Sequence, residues 1–112
     1  MEPQIKLNEK PLYTPGVAST ILGINNKTLI NYENVGLIRI ARNTKGRRLY
    51  SQKDLYNILL IRYLIKERGI TTKGIKIVNK LLKEVSKKGV SLHSHLIPQK
   101  IQKKFMKKLI NY

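Results

Sequence analysis

The sequence of 112 residues contains no cysteine. Disulfides, thiolate metal sites and a cysteine nucleophile are therefore excluded. Acidic residues are scarce: 6 Asp and Glu stand against 23 Lys and Arg, a formal net charge of +17. No carboxylate pair of the kind used in general acid–base chemistry is visible, nor a nucleophile with a base at a useful spacing, nor a glycine loop that would cradle a phosphate. Neither an enzyme nor a bound cofactor or metal is expected. No apolar run approaches the ~18 residues that a membrane span needs. The first ten residues resemble neither a secretory signal nor an arginine-rich transit peptide. The expectation is a soluble chain of the cytoplasm, working at the nucleoid, or of an organelle such as a plastid.

With 41% hydrophobic residues, the chain has enough apolar material for one modest core. A charge of this size opposes compaction by self-repulsion and points to a polyanionic partner, nucleic acid ahead of an anionic membrane surface.

Residues 1–12 hold no sustained period. They read as a flexible arm between prolines, in which Ile5 and Leu7 could add a strand to a neighbouring sheet. Thr14-Pro15 opens a helix, with Thr as the cap and Pro at the first helical position. Val17, Ala18, Ile21 and Leu22 are spaced to bury one side, and Gly23 stops the helix. Ile24 anchors the turn. Asn25 or Asn26 caps a second helix that runs to about Val35, with Leu29, Tyr32 and Glu33 pinning it to the first. Two helices joined by a tight glycine turn form a helix-turn-helix pattern, whose second helix reads the major groove. The residues placed there are Asn26, Lys27, Thr28, Ile30 and Asn31. Asn pairs with adenine and Lys with guanine, while Ile30 and the Thr28 methyl suit thymine methyls.

Residues 37–50 read as a short basic hairpin turning at 43–46. Arg42, Lys45, Arg47 and Arg48 sit near its tip, suited to phosphates or a narrow minor groove. Ser51 to Asp54 forms a capping box for a third helix with Leu55, Ile58, Leu59, Leu64 and Ile65. A fourth helix, capped by Thr71 or Thr72, carries Ile75, Ile77, Val78, Leu81 and Leu82 as its apolar set. Residues 90–98 read as loop. His93 and His95 lack a neighbouring carboxylate or thiol and are a poor ligand set, so a solvated loop is expected. From Gln99, Ile101, Phe105 and Leu109 line one face of a basic amphipathic helix and five lysines the other. That helix suits packing, phosphate contact or membrane association.

Certain pieces then stand in a familiar order: V-A at 17–18, L-G-I at 22–24, T-L at 28–29, Y-E at 32–33, G-L-I at 36–38, G-R-R-L-Y-S at 46–51, D-L at 54–55 and G-I-T-T-K-G-I-K at 69–76. Residues 13–82 resemble the DNA-binding domain of the MerR family of bacterial transcription regulators, and are similar to its short heat-shock and glutamine-synthetase repressors. The resemblance implies a mainly α fold. A winged helix-turn-helix domain over 13–83, which includes the second helix pair after the wing, is expected, with a loop and short basic C-terminal helix over 84–112. It also implies a homodimer on an inverted repeat of double-stranded DNA, with RNA polymerase as a further partner. By position, Tyr32 and Arg48 match the family's phosphate-contacting tyrosine and wing arginine, although Tyr32 also reads as a core tyrosine.

Two departures stand out. Ile30 replaces the arginine usual after T-L, and Asn31 replaces the first tyrosine of a pair, which turns base preference toward A·T-rich sites. The long dimerisation helix of the family is interrupted here by Gly89 and Pro98, and no small-molecule effector domain is expected. The function expected is a sequence-specific transcriptional regulator. The alternatives are an architectural, excisionase-like DNA binder and a basic RNA-binding protein.

Overall fold

The computed structural model describes residues 7–112. Within them the chain runs α1 (Pro15–Leu22), α2 (Asn26–Asn34), β1 (Ala41–Arg42), β2 (Arg48–Leu49), α3 (Gln52–Lys66), α4 (Thr72–Ser86), α5 (His93–Leu96) and α6 (Gln99–Ile110). The fold is mainly helical, with one small antiparallel sheet that pairs Ala41 with Leu49 and Arg42 with Arg48.

Local hydrogen-bond chemistry sets the helix starts. Thr14 Oγ1 accepts the Val17 amide at 3.3 Å, and Asn25 Oδ1 accepts the Thr28 amide at 2.8 Å. Ser51 and Asp54 close a reciprocal capping box, both bonds at 2.9 Å, and Thr71 caps α4 through the Gly74 amide. Gly23 ends α1 at φ 64°, the left-handed conformation that lets the chain reverse in so few residues. Gly74 is needed for a different reason. A Cβ there would come within 2.7 Å of Ile70 Cγ2, so the start of α4 lies against the turn before it.

The core forms where α1 packs against α2, α3 and α6, while α3 also packs against α4 and α5. Ala18, Leu29, Tyr50, Leu55, Ile58 and Ile75 are fully enclosed. Ile97, Phe105 and Leu109 join the same cluster from the C-terminal side. The rings of Tyr56 and Phe105 meet at 5.9 Å. Tyr56 donates its hydroxyl to Gln102 Oε1 at 3.0 Å, and Gln102 Nε2 donates to the carbonyls of Ser94 and Ile97, both at 2.7 Å. One buried amide thereby ties α3, α5 and α6 together.

Several sequence expectations change here. Ile5 lies outside the described residues. Leu7 adds no strand; instead Tyr13 bridges Tyr50. Residues 7–12, expected within a flexible arm, are tied down: Asn8 accepts the Lys53 amide at 3.2 Å and Leu12 donates to Tyr50 O at 3.1 Å. The stretch 90–98 holds the one-turn helix α5, because Leu92 and Ile97 are drawn into the core and Gln102 captures its carbonyls. His93 is consequently half-buried against Tyr56, ring centres 6.2 Å apart, rather than solvated. In α4 only Ile75 and Leu82 are buried. Ile77 and Leu81 of the expected apolar set remain 62% and 59% exposed, since α4 meets α3 along one narrow line.

Candidate nucleic-acid interface

On α2 successive residues turn by about 100°. Leu29 and Tyr32 therefore face inward, the latter 5% exposed. Asn26, Lys27 and Asn31 face solvent, with Ile30 half-buried at the margin of the same side. Thr28 is half-buried, its amide held by the Asn25 cap. Of the five residues expected to read bases, Asn26, Lys27 and Asn31 open outward with Ile30 at their margin and Thr28 lies at the edge, while Tyr32, matched to a phosphate-contacting tyrosine, belongs first to the core.

The wing turn is organised from within. Asn43 Oδ1 accepts the amides of Lys45 at 2.9 Å and Arg47 at 3.0 Å, which closes the turn around its tip. Arg42, Lys45 and Arg47 are exposed, and Arg48 is half-buried.

Glu33 is the residue that joins wing to helix. Arg48 Nε donates to Glu33 Oε1 at 2.7 Å, and Arg42 Nη2 approaches the same oxygen at 3.3 Å. Arg42 also donates from Nη1 to the Gly46 carbonyl at 3.0 Å. Arg42 is thus engaged by the wing's own turn and by α2, whereas Lys27, Lys45 and Arg47 take part in no ion pair among the described residues. The sequence spacing predicts Glu33 as a pin between α1 and α2; in the structure it turns to the wing instead. The signal was available: Glu33 is the one acidic residue between Glu9 and Asp54 in a strongly basic stretch. Asn43 was read only as part of a turn, and its double acceptor role was missed.

Behind the wing, Tyr50 is fully buried, and its hydroxyl has no hydrogen-bond partner among the described residues. Burial pushes its pKa up; the charges of Glu33 and Asp54 add to that, and Arg48 and Arg42 oppose it. Farther away, a groove of about 870 Å³ runs between residues 7–11, α3, the end of α4 and His93. There, burial and then the Lys53 charge hold the His93 imidazole below its usual pKa. Among the described residues no group of three or more His, Asp or Glu is placed to hold a metal ion, and no helix is long and apolar enough to cross a membrane.

A capped helix pair on a glycine turn, an outward second helix and a basic two-stranded wing braced to it define a winged helix-turn-helix protein. The sequence pattern of the MerR HTH family of regulatory proteins matches residues 13–91, and the chain belongs to that family. It is similar to a protein of Streptomyces coelicolor described as heat shock protein HspR, with 30% identity over 78 residues. That match covers 70% of this chain and 52% of the relative, so the chain spans about half the length of the curated relative it matches.

Proposed function

We propose that the protein is a sequence-specific regulator of transcription. It binds double-stranded DNA as a homodimer on an inverted repeat, in line with the regulatory family to which it belongs. Asn26, Lys27, Thr28, Ile30 and Asn31 meet base edges in the major groove. Asn26 and Asn31 favour adenine, and Lys27 favours guanine. Lys45, Arg47 and Arg48 meet phosphates, with the edge of Tyr32 beside them and Arg42 supporting the wing. Lysine and arginine contacts supply most of the affinity by releasing counterions, and the α2 face supplies discrimination.

The observation that carries this reading is the Glu33 brace, at 2.7 Å from Arg48, which ties the wing to α2 beside its outward face. The likeness to a heat shock protein makes promoters of heat-shock genes the first places to look for an operator.

Selection of bound duplexes from a random pool at ~150 mM salt, with the mass of the complex measured alongside, tests the proposal. The expected outcome is an enriched inverted repeat and two copies of the chain per duplex. Tight, salt-sensitive binding to every duplex without enrichment would replace it with the architectural reading. Full competition by structured RNA would replace it with the RNA-binding one.

A further inference from the structure

The family match ends at residue 91, so α6 lies outside it. α6 carries Lys100, Lys103, Lys104, Lys107 and Lys108 and no acidic residue. At about 100° per residue these lysines gather on one side, opposite Gln102, Phe105 and Leu109, which are buried. Lys100, Lys103, Lys104 and Lys107 are exposed, Lys108 half so, and none takes part in an ion pair among the described residues.

The apolar side of α6 is already occupied within the molecule, by Tyr56 of α3 and by packing on α1. A helix that inserts into a bilayer, or lies in a groove of a partner protein, needs that side free. Only Ile110, 79% exposed, remains available on α6 as a large apolar side chain. What the helix offers outward is therefore a dense row of positive charge on a fixed support. From Lys100 to Lys108 the helix rises about 12 Å, and one strand of duplex DNA presents a phosphate per ~3.4 Å of axis, so about three or four phosphates match this length. α1 packs against both α2 and α6, so the lysines ride on the unit that seats the operator.

We propose that the lysine face of α6 is a second DNA-binding surface, which takes phosphates of the same duplex where it runs beyond the operator core. This rests on the DNA-binding reading above.

The test compares the full chain with a variant carrying Lys→Gln at 100, 103, 104 and 107. A control carries Lys→Gln at 66, 80, 83 and 88, which removes the same charge elsewhere. The probes are the selected duplex trimmed to ~20 bp, two half-sites with their margins, and the same site extended to ~40 bp. Each phosphate contact contributes about 0.9 to the slope of log affinity against log salt. On the long probe the α6 variant should lose about two to four units of slope relative to wild type, with the control nearly unchanged. On the trimmed probe the two variants should agree.

Equal slopes for both variants on the long probe would overturn the proposal and leave α6 a solvated helix. Lysine-dependent binding to vesicles of one-third phosphatidylserine, with DNA slopes unchanged, would overturn it in favour of a membrane surface. Failure of the wild-type chain to select any duplex would bring down the DNA-binding reading and this proposal with it. Selection with equal slopes would bring down this proposal alone.

Discussion

Arg48 and Glu33 meet at 2.7 Å, one from the wing and one from α2, with side chains 24% and 18% exposed. On the surface proposed to meet phosphates a carboxylate is a repulsive element unless cations enclose it, and here two arginines do. Its effect is to hold the wing at a set position relative to α2.

Glu33→Gln keeps the shape and removes the charge. Release of the two arginines raises affinity for random duplexes, while the loosened wing lowers preference for the selected site. The ratio of the two affinities should fall about tenfold, equivalent to ~1.4 kcal/mol, and stability should drop by no more than about 1 kcal/mol because the pair is partly solvated. Competition titrations measure the ratio; an unchanged ratio would reduce Glu33 to a surface ion pair.

Arg48→Ala removes a phosphate contact and half of the Glu33 brace, so it should weaken binding to every sequence, lower the salt slope by roughly one unit and, like Glu33→Gln, reduce the preference for the selected site. If affinity and slope both stay put, the wing assignment fails.

Asn31 is exposed on the outward side of α2. Asn31→Ala should relax base preference by about 1–3 kcal/mol at one position per half-site and leave non-specific binding nearly intact. Repeating the duplex selection with the variant checks this, and an identical site profile would take Asn31 out of the readout set.

His93 lies half-buried beside Tyr56, its pKa held down by burial and by the Lys53 charge. The unfolded chain, with a pKa near 6.5, then binds the proton more readily than the folded one. Its contribution is neutral above that value. Stability falls as pH drops through it and levels off below the lowered folded value. Urea midpoints from pH ~8 to ~5 should show a step that His93→Gln removes. A pH profile indifferent to the substitution would mean that His93 does not titrate in this way.

Gln102 serves Tyr56, Ser94 and Ile97 at once. Gln102→Leu preserves bulk but strands those partners, and should cost about 2–4 kcal/mol in urea unfolding. A loss under ~1 kcal/mol would show that water takes over the three bonds.

Much of the fold was legible because its punctuation is local. Thr14-Pro15, Gly23, Asn25, the Ser51–Asp54 box and Thr71 each act within a few residues, so reading neighbours along the chain is enough to find them. The outward set on α2 was equally readable from its period, since Leu29 and Tyr32 mark the buried side. Reading failed where a side chain chooses among distant partners. Glu33 lies near α1 in sequence and binds the wing nine and fifteen residues on. Ile77 and Leu81 have the spacing of core residues and stay in solvent because no helix covers them. His93 looked like loop until α3 came up beneath it.

The sequence alone determined the starts of the side-chain-capped helices, the turn, the basic wing and the excess of positive charge, because capping, periodicity and ionisation are properties of short stretches. Only the tertiary structure decided which charges are already paired and which apolar faces, that of α6 among them, are covered. Those outcomes depend on which surfaces meet across tens of residues, and each meeting is settled by desolvation and packing of the whole core.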